Sequence, residues 1–434
     1  MNISVLTVFA DLYQPFFNTS LLKKATENKS LSFSVATFFD YVQPKERIDG
    51  PTFGHNAGML IRPEVLERAV MDLDNRLGKS FKIFLSPQGT KLTQSYSQQL
   101  WNQIKNHEHV MFVASRYEGI DARAQQKYAD AVVSVGDFVC MGGDLPAMIL
   151  METLFRHMPG VVGKQESVDR DSFSGPFVDH PEYTKPVDWH GMQVPGVLRS
   201  GDHKAIEQWR KQQVVQNTTI QHFDWLRSWN LNTQDKQQVA AAIPPHYVAL
   251  MHTGIALKDG RVGTTSVTSI DVHDIARSAI TYGLKEYFIV TPLLDQQKIV
   301  NTILHFWQET DAGISYNKNR YQAVKQVSVK QDLADVIFAI EKQQGMRPII
   351  LGTSARFEHG SSKMISYHDQ QKIWSQGRPV LILLGTGHGM GQELIDQCDY
   401  FLPPLYGFSA FNHLSVRSAA AVIFDKWLGM DVKF

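Results

Sequence analysis

Short apolar segments alternate with amphipathic segments along the first part of the chain. Continuous apolar runs predict buried strands at 3–9, 31–39, 83–85, 110–115 and 131–133. Apolar residues at helical spacing predict helices at 63–77, 93–106, 123–129 and 147–155. Strands that alternate with helices in this way are typical of an α/β fold with a parallel sheet.

The same alternation returns later in the chain. Strands are predicted at 247–251, 286–290, 348–351, 380–384 and 400–402, and helices at 271–282, 332–343 and in the Ala-rich segment that ends at Leu428. Helical stretches without strands precede it, at 204–213, 223–229 and 233–242. We therefore predict an α/β domain at 1–160, a polar linker at 161–175, a small helical domain at 176–243 and a second α/β domain at 244–434.

Three predicted strands of the first domain end in polar or glycine-containing loops. These loops are 85–89 (LSPQG), 116–121 (RYEGID) and 134–146, where a further short strand is predicted at 138–141 and Asp144 is expected to cap the next helix. In an open parallel sheet such loops meet at one edge and form a ligand crevice. Gly142 and Gly143 would let a flat ligand lie against the main chain.

Composition limits the kinds of partner and compartment. The 434 residues include 43 basic and 43 acidic ones, so a nucleic-acid partner requires a local basic patch. Cys140 and Cys398 lie in apolar runs and are predicted to be buried thiols rather than metal ligands or a disulfide. We find neither a signal-peptide pattern nor an apolar run long enough for a membrane span, and expect a cytoplasmic protein.

The motifs LSPQG, RYEGID, SVGDFVCMGGDLPAM and DSF occur in this order over roughly the first 240 residues. In this respect the chain resembles the bacterial tRNA (guanine-N1)-methyltransferases of the SPOUT class. The resemblance implies a sheet with a deep trefoil knot that binds S-adenosylmethionine, a homodimer, and methyl transfer to N1 of the guanosine 3′ of the tRNA anticodon, position 37. It also implies a magnesium requirement, for which this sequence has no ligand motif, and we predict no protein-bound metal.

The resemblance assigns the cofactor to the loops at one edge of the first sheet. The implied cofactor-binding residues are Phe84, Leu85, Ser86, Pro87, Ser115, Glu118, Ser134, Val135, Gly136, Asp137, Phe138, Val139, Cys140, Gly142, Gly143 and Pro146. Ser115 stands where the family usually has glycine.

The resemblance also implies two catalytic residues, Asp171 in the DSF motif and Arg156 ahead of the Pro-Gly turn. Methylation of guanine N1 requires removal of a proton, which a carboxylate can accept. Negative charge then moves toward O6, where a guanidinium is well shaped to stabilise it. On the residues alone, the favoured roles are a turn or capping residue for Asp171 and a surface charge for Arg156, and the resemblance reverses this preference.

Two further regions bear on RNA. Lys204, Arg210 and Lys211 form a compact basic helix face, either a contact for tRNA phosphates or a solvated surface. The loop 42–58 departs from the family's glycine-rich pattern at Phe53, His55, Asn56 and Ala57. His55 and Asn56 either supply hydrogen bonds to a base edge or belong to a solvated loop.

The C-terminal α/β segment resembles a second SPOUT unit, a SAM-dependent RNA methyltransferase domain. Its implied cofactor-binding residues are Leu384, Gly385, Thr386, Gly387, Pro404, Leu405, Gly407, Asn412, Leu414 and Ser415. His388 and His413 are open to structural roles, and Arg417 either binds an anion or forms a salt bridge at the start of the last helix.

Two other functions remain open from the sequence. The altered loop and Ser115 are compatible with a non-catalytic module that binds S-adenosylmethionine or RNA and dimerises. The glycine loop 385–391 (GTGHGMG) is a weak match to a dinucleotide-binding oxidoreductase, which we disfavour because it occurs late and lacks a ribose-binding acid in a complete βαβ unit.

Overall fold

The computed structural model describes residues 1–54, 57–162, 171–310, 315, 317–355, 362–409 and 411–431. The chain divides into two compact units, Met1–Gly175 and Pro176–Phe434. Within the described ranges no helix is both long and apolar enough to cross a membrane. The four-segment division of the sequence remains a prediction.

The first unit contains a sheet of five parallel strands in the order β2-β1-β6-β5-β7. Its strands are β1 (Asn2–Thr7), β2 (Ser32–Thr37), β5 (Phe81–Lys91), β6 (His109–Val113) and β7 (Ala131–Ser134). A small hairpin, β3 (Asp49–Pro51) and β4 (Met59–Ile61), stands beside it. The predicted α/β fold with a parallel sheet is confirmed.

Helices cover both faces of this sheet. They are α1 (Tyr13–Phe17), α2 (Ser20–Glu27), α3 (Pro63–Leu77), α4 (Gln94–Ile104), α5 (Ala122–Tyr128) and α6 (Asp144–Phe155). One apolar core packs α4 and α6 against the sheet, and a second core on the other face packs α3 against it. The regular apolar spacing of α3 explains why its predicted bounds agree with the structure.

The second unit contains six parallel strands in the order β14-β13-β10-β16-β15-β17. They are β10 (His246–Met251), β13 (Glu286–Val290), β14 (Val327–Lys330), β15 (Ile349–Thr353), β16 (Val380–Gly385) and β17 (Tyr400–Leu402). Two hairpins accompany them, β8 (Asp188–Trp189) with β9 (Met192–Gln193) and β11 (Ile255–Ala256) with β12 (Val262–Gly263).

The helices of the second unit begin before its sheet. They are α7 (His203–Gln221), α8 (Phe223–Leu226), α9 (Thr233–Ala242), α10 (Ser269–Thr281), α11 (Leu294–Glu309), α12 (Lys318–Val324), α13 (Leu333–Gln344), α14 (Gln370–Trp374), α15 (Gln392–Gln397) and α16 (Val416–Leu428). Val215, Phe223 and Leu226 belong to the same apolar core as Trp374 and Trp427. The small helical segment therefore packs on the second sheet.

Some local predictions were wrong. Residues 138–141 form no strand, and Phe138, Val139 and Met141 are exposed in the loop between β7 and α6. Asp144 is the first residue of α6 rather than its cap, and its buried carboxylate accepts hydrogen bonds from Thr7 and Tyr13. Cys140 is only partly buried, whereas Cys398 is buried as expected.

Candidate functional site

A cavity of about 360 Å³ lies where β5, β6 and β7 end. Because these three neighbouring strands are parallel, their carboxyl ends meet at one edge of the sheet. The loops that follow them supply most of the cavity wall. The predicted crevice is therefore present.

The first loop is an interruption within β5 rather than a turn after it. The pairing of β5 with β7 shifts between Leu85 and Thr90, so residues 86–89 leave the hydrogen-bonded ladder. At Gly89 a Cβ atom would lie 2.5 Å from the carbonyl carbon of Val132 and from the amide nitrogen of Val133. Only glycine permits the two chains to approach this closely.

The second and third loops are joined by backbone contacts. The amide of Gly143 donates a hydrogen bond to the carbonyl oxygen of Ser115 at 2.7 Å. A Cβ atom at Gly143 would lie 2.9 Å from the amide nitrogen of Ser115. The Arg116 guanidinium donates to the Met141 carbonyl at 2.8 Å. These contacts hold the two loops at the mouth of one cavity.

Glu118 is the one residue with a charged side chain among the described residues that line this cavity. Its amide donates to the Met59 carbonyl at 2.9 Å, and a Cβ atom at Gly58 would overlap its side chain. Gly58 therefore leaves the space in which Glu118 lies. The cavity combines apolar walls, exposed main chain and one carboxylate.

Fourteen of the sixteen predicted cofactor-binding residues line this cavity. They are Phe84, Leu85, Ser86, Pro87, Ser115, Glu118, Ser134, Val135, Phe138, Val139, Cys140, Gly142, Gly143 and Pro146. Gly136 and Asp137 lie in the third loop but do not line it, and Asp137 is exposed and ion-paired with Lys91. Sequence reasoning missed eight other wall residues, of which half lie within the LSPQG and RYEGID motifs: Leu60, Gln88, Tyr117, Gly119, Ile120, Ala122, Gln125 and Val133.

Arg156 and Asp171 form an ion pair outside the wall of this cavity. Both side chains are partly exposed, at 46% and 33%. Arg156 follows α6 directly, which fixes its backbone at the end of a helix. The predicted residues His55 and Asn56, and the charged neighbours Asp169 and Arg170, lie outside the described residues.

A second cavity, of about 520 Å³, lies at the corresponding edge of the second sheet. Nine of the ten predicted residues line it: Leu384, Gly385, Thr386, Gly387, Pro404, Leu405, Asn412, Leu414 and Ser415. Gly407 does not. Gly387 has a φ of 55°, a left-handed conformation that favours glycine.

The wall of the second cavity includes ionisable side chains that the sequence did not single out. His252 and Asp271 are 1% and 8% exposed, and both line the cavity with His388, His413 and Arg417. Arg417 lies 3.6 Å from a carboxylate oxygen of Asp271 and 3.6 Å from one of Asp274. Arg417 was open to anion binding or to a salt bridge at the start of the last helix, and the structure shows the salt bridge.

Burial also lowers the pKa of His252 to about 4, while the nearby Asp271 carboxylate opposes the shift. The imidazole is therefore neutral at pH 7. His252 follows β10 and Asp271 lies in the first turn of α10, so the fold brings together residues that are distant in sequence. A histidine after a buried strand was the available signal in the sequence.

The basic face of α7 is exposed. Asp202 caps this helix by accepting hydrogen bonds from the amides of Lys204 and Ala205, both at 3.0 Å. Lys204, Arg210 and Lys211 are exposed, and Lys211 lies 3.9 Å from Asp235.

Among the described residues, no group of three or more His, Cys, Asp or Glu side chains is placed to hold a metal ion.

Two family models match the chain. Residues 1–228 match "tRNA (Guanine-1)-methyltransferase TrmD", and residues 245–429 match "SAM-dependent RNA methyltransferase". The first match ends at residue 228 and the second begins at residue 245, and together they contain the strands of both sheets.

Curated relatives match over different lengths. The tRNA (guanine-N(1)-)-methyltransferase of Nitratidesulfovibrio vulgaris is 34% identical over 99% of both chains. The enzyme of that name from Bacillus subtilis is 36% identical over 55% of this chain and 98% of its own. A crystal structure of tRNA (m1G37) methyltransferase from Aquifex aeolicus is 30% identical, covers 48% of this chain and 87% of that chain, and has a TM-score of 0.41.

A family match across more than half of the chain and a relative of equal length point to the same family. The cavity loops that the first half of the chain builds lie within the matched residues. The chain belongs to the tRNA (guanine-N1)-methyltransferase family and carries, after that domain, a match to a second RNA methyltransferase family.

Proposed function

We propose that this protein transfers the methyl group of S-adenosylmethionine to N1 of the guanosine 3′ of the tRNA anticodon, position 37. The observation that carries the proposal is the first cavity, whose three loops contain the motifs of the family. The names of the full-length relatives support the same reaction.

The first cavity has the chemistry that S-adenosylmethionine requires. Phe84, Leu85 and Val133 supply apolar contact for an adenine ring, and the main chain around Gly142 and Gly143 supplies donors and acceptors. Glu118 supplies the carboxylate that a positively charged ligand favours. When bound, the sulfonium activates its methyl group for direct transfer, so the protein needs only to position and deprotonate the base.

Asp171 accepts the N1 proton and Arg156 stabilises the negative charge that moves toward O6 in this mechanism. Their ion pair supports the assignment because Arg156 holds the Asp171 carboxylate in position before the base arrives. Guanine binding then requires Arg156 to exchange part of this contact for O6. No residue is assigned to magnesium, since the described residues contain no acidic cluster that fits it.

We expect a homodimer in which Asp171 reaches the cofactor of the partner subunit. This arrangement would account for the distance of Asp171 from the cavity wall. It would also cover Val139, Met141 and Leu145, which are 84%, 90% and 63% exposed. We also propose that the first sheet has the trefoil knot of the SPOUT class. The proposed location is the cytoplasm, where tRNA and S-adenosylmethionine are available.

The second cavity is proposed to bind another S-adenosylmethionine and to methylate an RNA. The support is the set of glycine-containing loops at the end of β16 and before α16, together with the match of residues 245–429. Lys204, Arg210 and Lys211 are proposed to contact tRNA phosphates.

The decisive experiment is mass spectrometry of tRNA nucleosides after incubation with the protein and labelled S-adenosylmethionine. We expect labelled 1-methylguanosine at position 37, and its loss in Asp171→Ala. Retained cofactor binding without any labelled nucleoside would instead favour the non-catalytic module.

A further inference from the structure

Two polar atoms in the wall of the second cavity are buried without a hydrogen-bond partner among the described residues. They are Nε2 of His252 and Oδ1 of Asp271, and the second of these lies 3.6 Å from the Arg417 guanidinium in an ion pair. Leaving a polar group buried and unpaired costs about 1–3 kcal/mol. The ion pair with Arg417 compensates the Asp271 oxygen in part, whereas His252 Nε2 has no such partner among the described residues, so this nitrogen is the atom whose burial calls for a functional explanation.

A chain of hydrogen bonds that begins at Nδ1 of His252 determines which ring nitrogen carries the proton. The Thr386 hydroxyl donates to the Met251 carbonyl at 2.9 Å, so its one proton is used. Thr265 Oγ1 lies 2.6 Å from Thr386 Oγ1 and must therefore donate to it. His252 Nδ1, at 3.1 Å from Thr265 Oγ1, must then be the protonated nitrogen. Nε2 is consequently an unprotonated acceptor.

His246 in the same unit shows what a structural histidine looks like. It is 2% exposed, and its Nδ1 donates to the Pro244 carbonyl at 2.6 Å while Nε2 accepts from Trp427 Nε1 at 2.9 Å. Both of its ring nitrogens are therefore paired. His252 has an equally fixed tautomer but an unpaired acceptor.

The Asp271 carboxylate is the charge near His252 that favours proton acceptance, against the effect of burial. Asp271 lies close enough to oppose the lowering of the His252 pKa by burial. Arg417 and Asp274 form an ion-pair network with Asp271, and the buried Tyr287 lies on the neighbouring strand β13. A neutral imidazole beside a carboxylate can take a proton as an imidazolium that the carboxylate stabilises.

We propose that His252 is the proton acceptor of the second cavity and that Asp271 stabilises its protonated form, with Thr265 as a positioning residue. The inference rests on the proposed second methyltransferase function. Its substrate is an RNA group that carries a proton on the nitrogen or oxygen to be methylated. Hydrogen bonds to a catalytic base are often completed only in the substrate complex.

The step balances without any further reactant. The methyl carbon leaves the sulfonium sulfur, which keeps the electron pair of the broken bond, and bonds to the RNA nitrogen or oxygen. The proton of that atom passes to His252 Nε2. The products are S-adenosylhomocysteine, methylated RNA and an imidazolium that later returns its proton to solvent.

The test uses the full chain with Asp171→Ala, which should lower methyl transfer by the first site by about 10²–10⁴, and 1-methylguanosine is left out of the measured product. Total bacterial RNA and S-adenosylmethionine labelled in the methyl group are the probes, and the single-turnover rate is measured. Adding His252→Gln should lower this rate by about 10²–10⁴ while calorimetric binding of S-adenosylmethionine stays unchanged. His305→Gln, an exposed histidine on α11, is the matched control and should have no effect.

Three further measurements separate catalysis from structure. Millimolar imidazole should restore part of the rate of His252→Ala, and it should not accelerate His305→Ala. Thr265→Val should lower kcat more than it raises KM, and Thr265→Ser should restore the rate. In the wild-type protein, long-range ¹⁵N NMR should find the His252 proton on Nδ1 and none on Nε2.

The outcomes distinguish the two levels of the proposal. If Asp171→Ala transfers no methyl group to any RNA, the second activity is wrong and the role of His252 falls with it. If transfer persists at full rate in His252→Gln, the second activity stands and the proton-acceptor role is overturned. A proton found on Nε2 of the wild-type protein also overturns it.

Discussion

The two parallel sheets arrange corresponding strands in the same order. The first runs β2-β1-β6-β5-β7, and the second runs β13-β10-β16-β15-β17 with β14 added at one edge. The corresponding strands also follow one another in the same chain order, and each series ends in a helix, α6 or α16. In both units the cavity is formed by loops that follow corresponding strands.

The two cavities differ in where their ionisable groups lie. The first has Glu118 as its one charged side chain among the described wall residues, and its proposed catalytic pair lies outside the wall. The second has His252, Asp271 and Arg417 in the wall itself. Under the two proposals, the shared topology would determine where a cofactor binds, while residues outside the shared loops would determine how a proton is removed. A site completed by a partner subunit fits the first cavity, and a self-contained site fits the second.

The largest expected effect separates the two activities. Asp171→Ala and Arg156→Ala should each lower the rate of guanine N1 methylation by about 10²–10⁴, because they remove the base or the group that stabilises the transition state. Methyl transfer by the second cavity should not change. Single-turnover assays with nucleoside mass spectrometry check both, with the exposed Asp11→Ala as control. A wild-type rate in Asp171→Ala would refute its assignment as the base.

The next effect concerns the number of cofactor sites. We expect two S-adenosylmethionine molecules per chain by calorimetry, and one in either Gly143→Ala or Gly387→Val. A Cβ atom at Gly143 would press on the Ser115 backbone, and one at Gly387 would sit in a left-handed residue 3.4 Å from the Ile255 and Thr265 side chains.

Two other glycines serve as controls for this prediction. Gly50→Ala in the first unit makes only ordinary contact, and Gly407→Ala in the second has open space for its Cβ. Both should keep two sites. Two sites in Gly387→Val would show that the second cavity does not need a bare main chain.

A third prediction concerns pH, because both units bury histidines but the pKa of a histidine is lowered to about 4 by burial in the second unit. Burial lowers the pKa of His246 to about 4, well below its ordinary value of 6.5. The unfolded chain therefore binds the proton more readily, so stability is complete above pH 6.5 and is lost as pH falls toward 4. The loss is about 3 kcal/mol for this one group.

Unfolding monitored by tryptophan fluorescence checks this at pH 7 and pH 5, since Trp374 packs against His246 at 5.8 Å between ring centroids. His246→Gln should be less stable at pH 7 but should lose less between the two pH values. The contribution of His252 is present in both proteins and cancels. An equally steep loss in His246→Gln would assign the pH dependence to other groups.

The elements that the sequence predicted best are those with a regular apolar pattern. Helix 63–77 and strand 286–290 have the predicted bounds, and helix 233–242 also has them although Val239 is its one buried residue. The apolar run 138–141 was mistaken for a strand because the sequence does not show what covers an apolar residue. The unpredicted β14 and α11 were missed because their apolar residues are interleaved with polar ones.

Motif residues located most of the first cavity wall but only nine of the 25 residues in the second, where the pair of His252 and Asp271 was not found. Asp271 had been placed at a helix start and His252 had no motif, so neither pattern indicated that they share a cavity. Their proximity follows from the β10 and α10 packing, which local patterns do not encode. Asp171 and Arg156 were predicted from a resemblance, and their ion pair became visible only in the structure.

The smallest expected effect concerns RNA binding by the basic face of α7, whose residues line neither cavity. Lys204→Ala and Arg210→Ala should each weaken tRNA binding and reduce the slope of log K against log salt by about 1, because each removed phosphate contact releases one counterion fewer. Lys211→Ala should have less effect, since Lys211 is within 3.9 Å of Asp235 and its charge is partly compensated. Filter binding across a salt series measures the slopes, with the exposed Lys298→Ala on α11 as control. Slopes equal to that of the control would show that α7 is a solvated face, and tRNA would then have to bind through another surface of the chain.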